Sequence, residues 1–311
     1  MHAPDVEPWN EEYLWAVEEA SGGQIKINIL WAGEHPYKWA DMLAVCRARL
    51  VDGVSSQLSL YTSATEPIVA LLDLPFIWTS PDEFWDLYNS DEFADLREAL
   101  LNSIWEKWNQ VELVSVAAGV YVFTADRFVE DWDSLKGVRI RSYTKEFDKM
   151  IQTLNGTPVS LSWGDVYPAL QRDIVDGWVT NIAAPYGAGW YEIEGMNRTT
   201  VANFALGLYS TTINKDAWDE LPPDLQEVFR KVAADQSEML LGVMLQDNKD
   251  ALWLAMKEYD VRFAFMPPAF GEEARSAMKH SIWDPWAQEV GGEAAELLQR
   301  VEEFHAEWIK R

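Results

Sequence analysis

Residues able to do chemistry are plentiful in this sequence, but they form no known catalytic pattern. The sequence contains no GxSxG, HExxH, Walker, GxGxxG or EF-hand motif. The histidines are scattered, at His2, His35, His280 and His305, and the single cysteine, Cys46, cannot form an internal disulfide. We therefore expect no metal site and no cofactor. With 51 acidic residues, a glycosidase-type pair of carboxylates stays open without positive support.

Carboxylate binding needs fewer groups, and one short segment supplies a suitable one. Residues 133–141, DSLKGVRIR, are typical of a turn that leads into a short strand ending at Arg141. A guanidinium offers paired N–H donors in one plane, which match the two oxygens of a carboxylate. On this pattern alone, Arg141 could equally well be a structural arginine paired with one of the chain's own acids. Arg139 is expected to have a structural role.

Composition narrows the classes of partner. The chain has 311 residues, enough for two domains with adequate cores. A net charge of -26 repels phosphate backbones and anionic lipids, so we expect no nucleic-acid partner and no membrane attachment. No apolar run is long enough to span a bilayer. The first residues, MHAP, lack the features of a signal peptide, which fits a cytosolic protein or a mature domain whose leader was removed.

The elements that must position Arg141 alternate between helix and strand. Apolar spacing predicts helices at 9–20, 37–50, 82–109, 145–154, 163–171, 222–259 and 271–310, the last with a break at 284–285. It predicts strands at 25–29, 54–60, 113–117, 120–124, 138–141, 175–179 and within 204–213. This alternation indicates an α/β protein. The helix at 222–259 would be about 55 Å long and should run along more than one domain.

Four motifs in register carry a family resemblance. They are LKGVRIR at 135–141, TPV at 157–159, DVYPALQ at 165–171 and VDG at 175–177. In order and spacing they resemble the substrate-binding proteins of TRAP transporters, the DctP-like family. The likeness extends from about Trp9 to Phe304, through GGQI at 22–25, LPF at 74–76 and WDELP at 218–222.

The resemblance implies a fold and its division. We expect a two-domain periplasmic-binding-protein-like α/β fold, with a ligand cleft between the domains and a long helix spanning both. Domain I would comprise 1–118 and about 208–254, domain II 119–207 and about 255–280, and C-terminal helices at 281–311 would pack on the body. Family members generally have a strand before the first helix. We therefore expect that the N-terminus of this chain has been trimmed.

The resemblance also implies roles for individual residues. Arg141 stands where the family commonly has the arginine that forms a two-pronged salt bridge with the ligand carboxylate. Asn181 occupies the region where several members place an amide that binds the same carboxylate, although a turn asparagine is the alternative. Trp163 and Trp178 lie near segments that line the cleft, where rings could stack on a ligand or belong to the core.

Four weaker candidates complete the predicted site. Tyr121 stands where the sialic-acid-binding branch has a second arginine, which argues against that ligand. The others fall near predicted strand ends or in a loop after the first strand, and they are Tyr61, Tyr209 and His35.

The sequence thus predicts a periplasmic solute receptor in its mature form, without enzymatic activity. Its expected partners are a small organic acid, bound through its carboxylate, and the membrane permease subunits of a TRAP transporter. Two alternatives stay open at this point. One is a glycoside hydrolase or another carboxylate-based enzyme, and the other is a ligand-binding sensor subunit.

Overall fold

Helices and strands alternate along the chain. The computed structural model describes residues 7–30, 34–38, 41–57, 63, 65–117, 120–202 and 204–310. The α-helices there are α1 (Glu7–Ala20), α2 (Met42–Arg47), α3 (Pro81–Tyr88), α4 (Asp91–Arg97), α5 (Ser103–Lys107), α6 (Lys145–Thr153), α7 (Trp163–Gln171), α8 (Ala184–Gly187), α9 (Lys215–Glu220), α10 (Pro223–Tyr259), α11 (Pro268–Met278), α12 (Asp284–Val290) and α13 (Ala294–Trp308). The strands are β1 (Gly53–Gln57), β2 (Gln110–Ala117), β3 (Tyr121–Ala125), β4 (Arg139–Ser142), β5 (Thr157–Ser160), β6 (Gly177–Asn181), β7 (Arg198–Val201), β8 (Leu208–Asn214) and β9 (Arg262–Phe265). Over this part of the chain, no helix combines the length and apolar character needed to cross a bilayer.

The chain divides into two compact units, each built from separate stretches. The first unit consists of Met1–Ala70, Tyr88–Ala118 and Gly207–Asp247. The second consists of Leu71–Leu87, Gly119–Leu206 and Asn248–Arg311. The helix α10 contributes to both, because its 37 residues continue across the division at 247–248.

The first unit is organised around a three-stranded antiparallel sheet in the order β1-β8-β2. Its core includes Tyr13 and Val17 from α1, Val114 from β2 and Tyr209 from β8. The alternation at 25–29 predicts a strand, but the structure assigns none there. The three isoleucines of this segment do pack on this core. The backbone N–H of Ile25 donates to the Ser21 hydroxyl and that of Ile27 to the Glu18 carboxylate, so these groups bond to side chains and not to a neighbouring strand.

The second unit carries a six-stranded sheet in the order β5-β4-β6-β3-β7-β9. The strand β3 is antiparallel to β6 and β7, whereas β4 is parallel to β5 and β6, and β7 is parallel to β9. It follows that five of the six strands end at the same edge of the sheet and that β3 begins there. We call this edge the carboxyl edge.

Residues 71–87 belong to the second unit, whereas the sequence-based boundary placed them in domain I. The backbone explains this position. The Phe76 N–H donates to the Phe204 carbonyl at 2.8 Å, and Trp283 Nε1 donates to the Pro75 carbonyl at 2.9 Å. Arg275 donates to the carbonyls of Phe76 and Ile77. These bonds hold the segment against elements from later in the chain.

The C-terminal helices also belong to the second unit. The predicted break at 284–285 is wrong, because the backbone passes Pro285 in a continuous helical path. A π-helical turn at Lys279–Trp283 lets the Asp284 N–H bond to the Lys279 carbonyl, and this wider turn accommodates the proline. The helix ends instead at Gly291 and Gly292, which both adopt positive φ angles.

Candidate functional site

The carboxyl edge of the second unit's sheet collects several of the predicted site residues. Arg141 lies near the end of β4 and Asn181 at the end of β6, and these strands are parallel neighbours. Tyr121 begins β3 and pairs with Asn181 in the antiparallel ladder. Ligands of open α/β sheets bind outside the carboxyl ends of the strands. The sheet thus places three predicted residues where such a fold binds small molecules.

The family motifs that flank Arg141 contact each other directly. Arg139 pairs with the Asp176 carboxylate through Nε at 2.9 Å and Nη2 at 2.5 Å, and its N–H donates to the same carboxylate. This guanidinium lowers the pKa of Asp176. Position 177 requires glycine, because a Cβ there would lie 2.2 Å from the carbonyl oxygen of Thr124. LKGVRIR and VDG therefore act together to align β4 with β6.

Arg141 itself has different surroundings. Its side chain is 1% exposed, and its Nε donates to the Leu161 carbonyl at 3.2 Å. Its guanidinium carbon lies 4.4 Å from the ring centre of Tyr143, 5.6 Å from that of Trp190 and 5.9 Å from that of Trp163. These distances are within the range of cation–π contacts. We call Tyr143, Trp163 and Trp190 the aromatic box.

Asn181 is held in one orientation. Its Oδ1 accepts hydrogen bonds from the backbone N–H groups of Ala183 at 2.7 Å and Ala184 at 3.2 Å. The turn-asparagine alternative is therefore correct for Oδ1. The same bonds fix the orientation of the amide group, whose Nδ2 is a hydrogen-bond donor of the kind that a carboxylate accepts.

Tyr121 extends the polar contacts of this edge. It is buried, and its hydroxyl accepts a hydrogen bond from the Tyr143 hydroxyl at 3.2 Å. Its ring packs edge-on against Phe147 and Phe204. Tyr121 therefore belongs to the core, and its hydroxyl is bonded to Tyr143, whose ring contacts Arg141.

The rings of Trp163 and Trp178 both pack against the ring of Trp190. The ring centres of Trp163 and Trp190 are 4.3 Å apart, and those of Trp178 and Trp190 are 5.5 Å apart. Trp178 is completely buried and also packs edge-on against Tyr191. Trp163, at the start of α7, contacts the guanidinium, while the burial of Trp178 places it in the core.

We expect Trp178→Ala to lower the free energy of unfolding by about 3–5 kcal/mol, because it deletes a large buried side chain. Denaturant unfolding measures this loss. Trp253→Ala is the matched control, since Trp253 is 62% exposed in the same unit and its loss should change stability by less than about 0.5 kcal/mol. Equal stabilities of the two variants would contradict a core role for Trp178.

The remaining predicted site residues belong to the first unit. His35 stacks on Tyr37, and its Nδ1 accepts a hydrogen bond from the Tyr37 N–H at 3.2 Å. Tyr209 is buried in the core on β8, opposite Gln57 and Val116. Tyr61 lies outside the described residues.

The sequence reasoning missed Tyr143 and Trp190. Tyr143 follows Arg141 by two positions, and residues at that spacing on an extended chain share a face, so its contact could have been predicted. Trp190 lies in a turn that follows Gly189, whose φ is +71°. Nothing local in the sequence marks which of the 17 tryptophans reaches Arg141.

No group of three or more metal-ligating side chains occurs within the described residues. The site contains donors of the kind that an anion accepts: the Arg141 guanidinium and the Asn181 amide. Such an arrangement can hold a carboxylate.

Most of the chain matches a known protein family. The family model for DctP, bacterial extracellular solute-binding protein family 7, matches residues 6–289. The chain belongs to this family. The DctP match covers the four motifs, the carboxyl edge and the aromatic box.

Individual DctP relatives are distant in sequence. The chain is 27% identical over 277 residues to the C4-dicarboxylate-binding periplasmic protein DctP of Rhodobacter capsulatus, covering 89% of this chain and 80% of that protein. It is 24% identical over 174 residues to a solute-binding protein of Chromohalobacter salexigens, and this match covers 55% of the chain and 50% of the relative.

Solved structures share the fold over nearly the whole chain. A TRAP periplasmic solute-binding protein of Desulfovibrio salexigens with bound orotic acid superposes with a TM-score of 0.85 at 18% identity, covering 99% of this chain and 97% of that one. DctP6 of Bordetella pertussis, an extracytoplasmic solute receptor binding pyroglutamic acid, gives 0.84 at 18% identity, with 97% and 96% covered. The two-domain periplasmic-binding-protein-like fold predicted from the sequence is confirmed.

Proposed function

We propose that this protein is an extracytoplasmic receptor that binds a small organic acid through its carboxylate and delivers it to the membrane permease of a TRAP transporter. The observation that carries the proposal is the buried guanidinium of Arg141 at the carboxyl edge of the second unit's sheet. Family membership supports it, because this is a family of extracellular solute-binding proteins.

The anchoring contact follows from the chemistry of the edge. A guanidinium can donate two parallel hydrogen bonds to a carboxylate, each worth about 1.5–3 kcal/mol. The Asn181 amide adds a directional donor without adding charge. Burial strengthens both interactions, because water competes less for the same groups.

The aromatic box favours a particular kind of acid. Rings around the anchor suit a ligand with a flat or apolar body. Position 121 is a tyrosine where the sialic-acid-binding branch has a second arginine, so this position supplies no second guanidinium to an acid. We therefore propose a monocarboxylate with a cyclic body. Orotic and pyroglutamic acids, which two structural relatives bind, are of this class.

The proposal includes no chemistry on the ligand, and it places the mature protein in the periplasm. The enzyme alternative predicts turnover of a bound acid or glycoside. The sensor alternative predicts the same binding with a different downstream partner. Co-purification with permease subunits after expression from the native operon separates a transport receptor from a sensor.

A titration with matched ligands tests the proposed function. Calorimetry with orotate, pyroglutamate and succinate should show saturable binding, with the cyclic acids bound more tightly than succinate. The methyl esters of orotate and pyroglutamate are controls that keep the ring and lose the carboxylate charge. The esters should not bind. Equal affinity for acid and ester, or sustained conversion of an acid, would contradict the proposal.

Salt should change the rate of ligand association. A protein of net charge -26 repels an approaching anion, while the contact with the buried arginine acts at short range. The Debye length falls from about 30 Å at 0.01 M to about 10 Å at 0.1 M, so screening mainly weakens the long-range repulsion. We expect the association rate constant to rise over this range while the dissociation rate constant changes little.

Stopped-flow tryptophan fluorescence measures both rate constants. The same measurement in potassium chloride and in sodium sulfate at equal ionic strength is the control for specific ion effects. An association rate constant that falls with salt would contradict the expectation and indicate a locally positive entrance.

A further inference from the structure

The guanidinium of Arg141 is surrounded by aromatic rings from three separate segments. Tyr143 continues the chain beyond β4, Trp163 opens α7, and Trp190 lies in the 3-10 turn Trp190–Glu192. All three rings are within 6 Å of the guanidinium carbon. Their convergence on one cation requires the strand, the helix and the turn to be placed together.

The ring of Trp190 is fixed by its own neighbours. It is 1% exposed, and it packs between Trp163 and Trp178. The turn that carries it starts at Gly189, where φ is +71° and a Cβ would lie 3.3 Å from the Glu192 carboxylate. The surroundings therefore hold Trp190 in one place, and Trp190 in turn limits where the guanidinium can lie.

Tyr143 is the nearest ring, and it is fixed at its hydroxyl. The hydroxyl donates to Tyr121, and the ring packs edge-on against Phe147 at 5.3 Å. Tyr143 is only half-buried. Its ring can therefore be removed with less risk to the core than that of Trp190.

Aromatic contacts position a cation differently from an acidic partner. A carboxylate binds a guanidinium through its N–H groups, as Asp176 does for Arg139. The ring quadrupole attracts the positive charge without accepting those N–H groups in the same bidentate way. The three rings therefore hold the guanidinium of Arg141 in place by attracting its positive charge.

We propose that Tyr143 and Trp190 are positioning residues for ligand binding, which act by fixing the guanidinium of Arg141. The inference rests on the proposed function, in which Arg141 binds the ligand carboxylate. In this role the two rings raise the affinity for the ligand without touching it. The role is also separate from what the rings contribute to the stability of the fold.

The Tyr143 variants carry the test, measured by calorimetry with the acid among orotate, pyroglutamate and succinate that the wild type binds most tightly. Tyr143→Leu removes the ring and should weaken binding about tenfold, mainly through faster dissociation. Tyr143→Phe keeps the ring and should stay within about twofold of the wild type. Tyr186→Leu is the matched control, because Tyr186 is also half-buried, packs edge-on against one ring and bonds through its hydroxyl, to Glu258.

A double-mutant cycle separates action through Arg141 from direct ligand contact. In an Arg141→Lys background, Tyr143→Leu should cause little further loss, because the planar cation that the ring positions is gone. Trp190→Leu, which removes the second ring, should behave likewise in the same cycle, with thermal unfolding recorded to confirm that each variant is folded. Full additivity of the Tyr143→Leu and Arg141→Lys losses would overturn the positioning role.

The outcomes also distinguish this inference from the proposed function. If Arg141→Lys weakens binding while Tyr143→Leu matches the Tyr186→Leu control, the positioning role fails and the function stands. If Arg141→Lys binds as well as the wild type, or the wild type binds none of the three acids, the proposed anchor fails and the positioning role fails with it.

Discussion

Arg141→Ala is expected to weaken carboxylate binding by about 100-fold or more. The change removes two charge-assisted hydrogen bonds worth about 1.5–3 kcal/mol each, and about 1.4 kcal/mol corresponds to a factor of ten in affinity. Arg141→Lys should bind nearly as poorly, because an ammonium keeps the charge but loses the planar fork. Calorimetry with orotate and pyroglutamate measures both losses.

The control variant for this prediction removes one positive charge at a different position of the same unit. Arg172, at the end of α7, is exposed in the same unit, and Arg172→Ala should bind each acid with wild-type affinity. Circular dichroism verifies that the Arg141 variants are folded. An Arg141→Ala protein that is folded and binds as tightly as the Arg172→Ala protein would remove Arg141 from the mechanism.

Glu83→Ala is expected to lower the free energy of unfolding by about 3 kcal/mol, because it deletes a buried carboxylate and leaves its hydrogen-bonding partners without an acceptor. Glu83 on α3 and His305 on α13 are both buried, and their side chains are 2.6 Å apart. The other carboxylate oxygen of Glu83 accepts bonds from the N–H and hydroxyl of Thr79. The pair thus connects the C-terminal helix to residues 71–87.

The stability that Glu83 contributes should depend on pH. Burial raises the pKa of Glu83, but the hydrogen bonds from His305 and Thr79 outweigh burial and leave the pKa below its ordinary value. A carboxyl whose pKa is lower in the folded protein stabilises the fold above its unfolded pKa, about 4.3, and this stabilisation is lost as the pH falls through the folded pKa. The wild type should therefore lose stability on the acid side of about pH 4.

Urea unfolding at pH 7 and at a series of pH values down to 3 measures the effect. The difference between the wild type and Glu83→Ala should shrink as the pH falls. Glu289→Ala is a suitable control, because Glu289 is exposed and paired only with Lys145 among its described salt bridges. That variant should change stability little at any pH. A stability difference for Glu83→Ala that stays constant down to pH 3 would contradict the assignment of its charge.

Apolar periodicity predicted the helices that position the site well. The helices predicted at 145–154 and 163–171 are observed as α6 and α7, and the long helix predicted at 222–259 is observed as α10. The clearest case is α6, which buries Phe147, Met150 and Ile151 on one face and begins after Thr144, whose side chain accepts a hydrogen bond from the Phe147 N–H. Periodicity failed at 25–29, because alternation reports burial of one face and does not report whether a strand pairs with another.

The candidate site was predicted in part, for a physical reason. Arg141 was found because its motif has a recognisable sequence, and Asp176 and Gly177 recur with it because they align β4 with β6. Strand alternation cannot separate Arg139 from Arg141, since residues two apart share a face. Their partners separate them, and partners such as Trp190 come from distant segments that no local pattern identifies.

A crystal structure of the protein soaked with orotate or pyroglutamate tests the central claim most directly. We expect the carboxylate of the acid at the carboxyl edge, with its two oxygens about 2.7–2.9 Å from terminal nitrogens of Arg141 and a further hydrogen bond from Asn181 Nδ2. An acid bound with its carboxylate on a different cation, and with no contact to Arg141, would contradict the account.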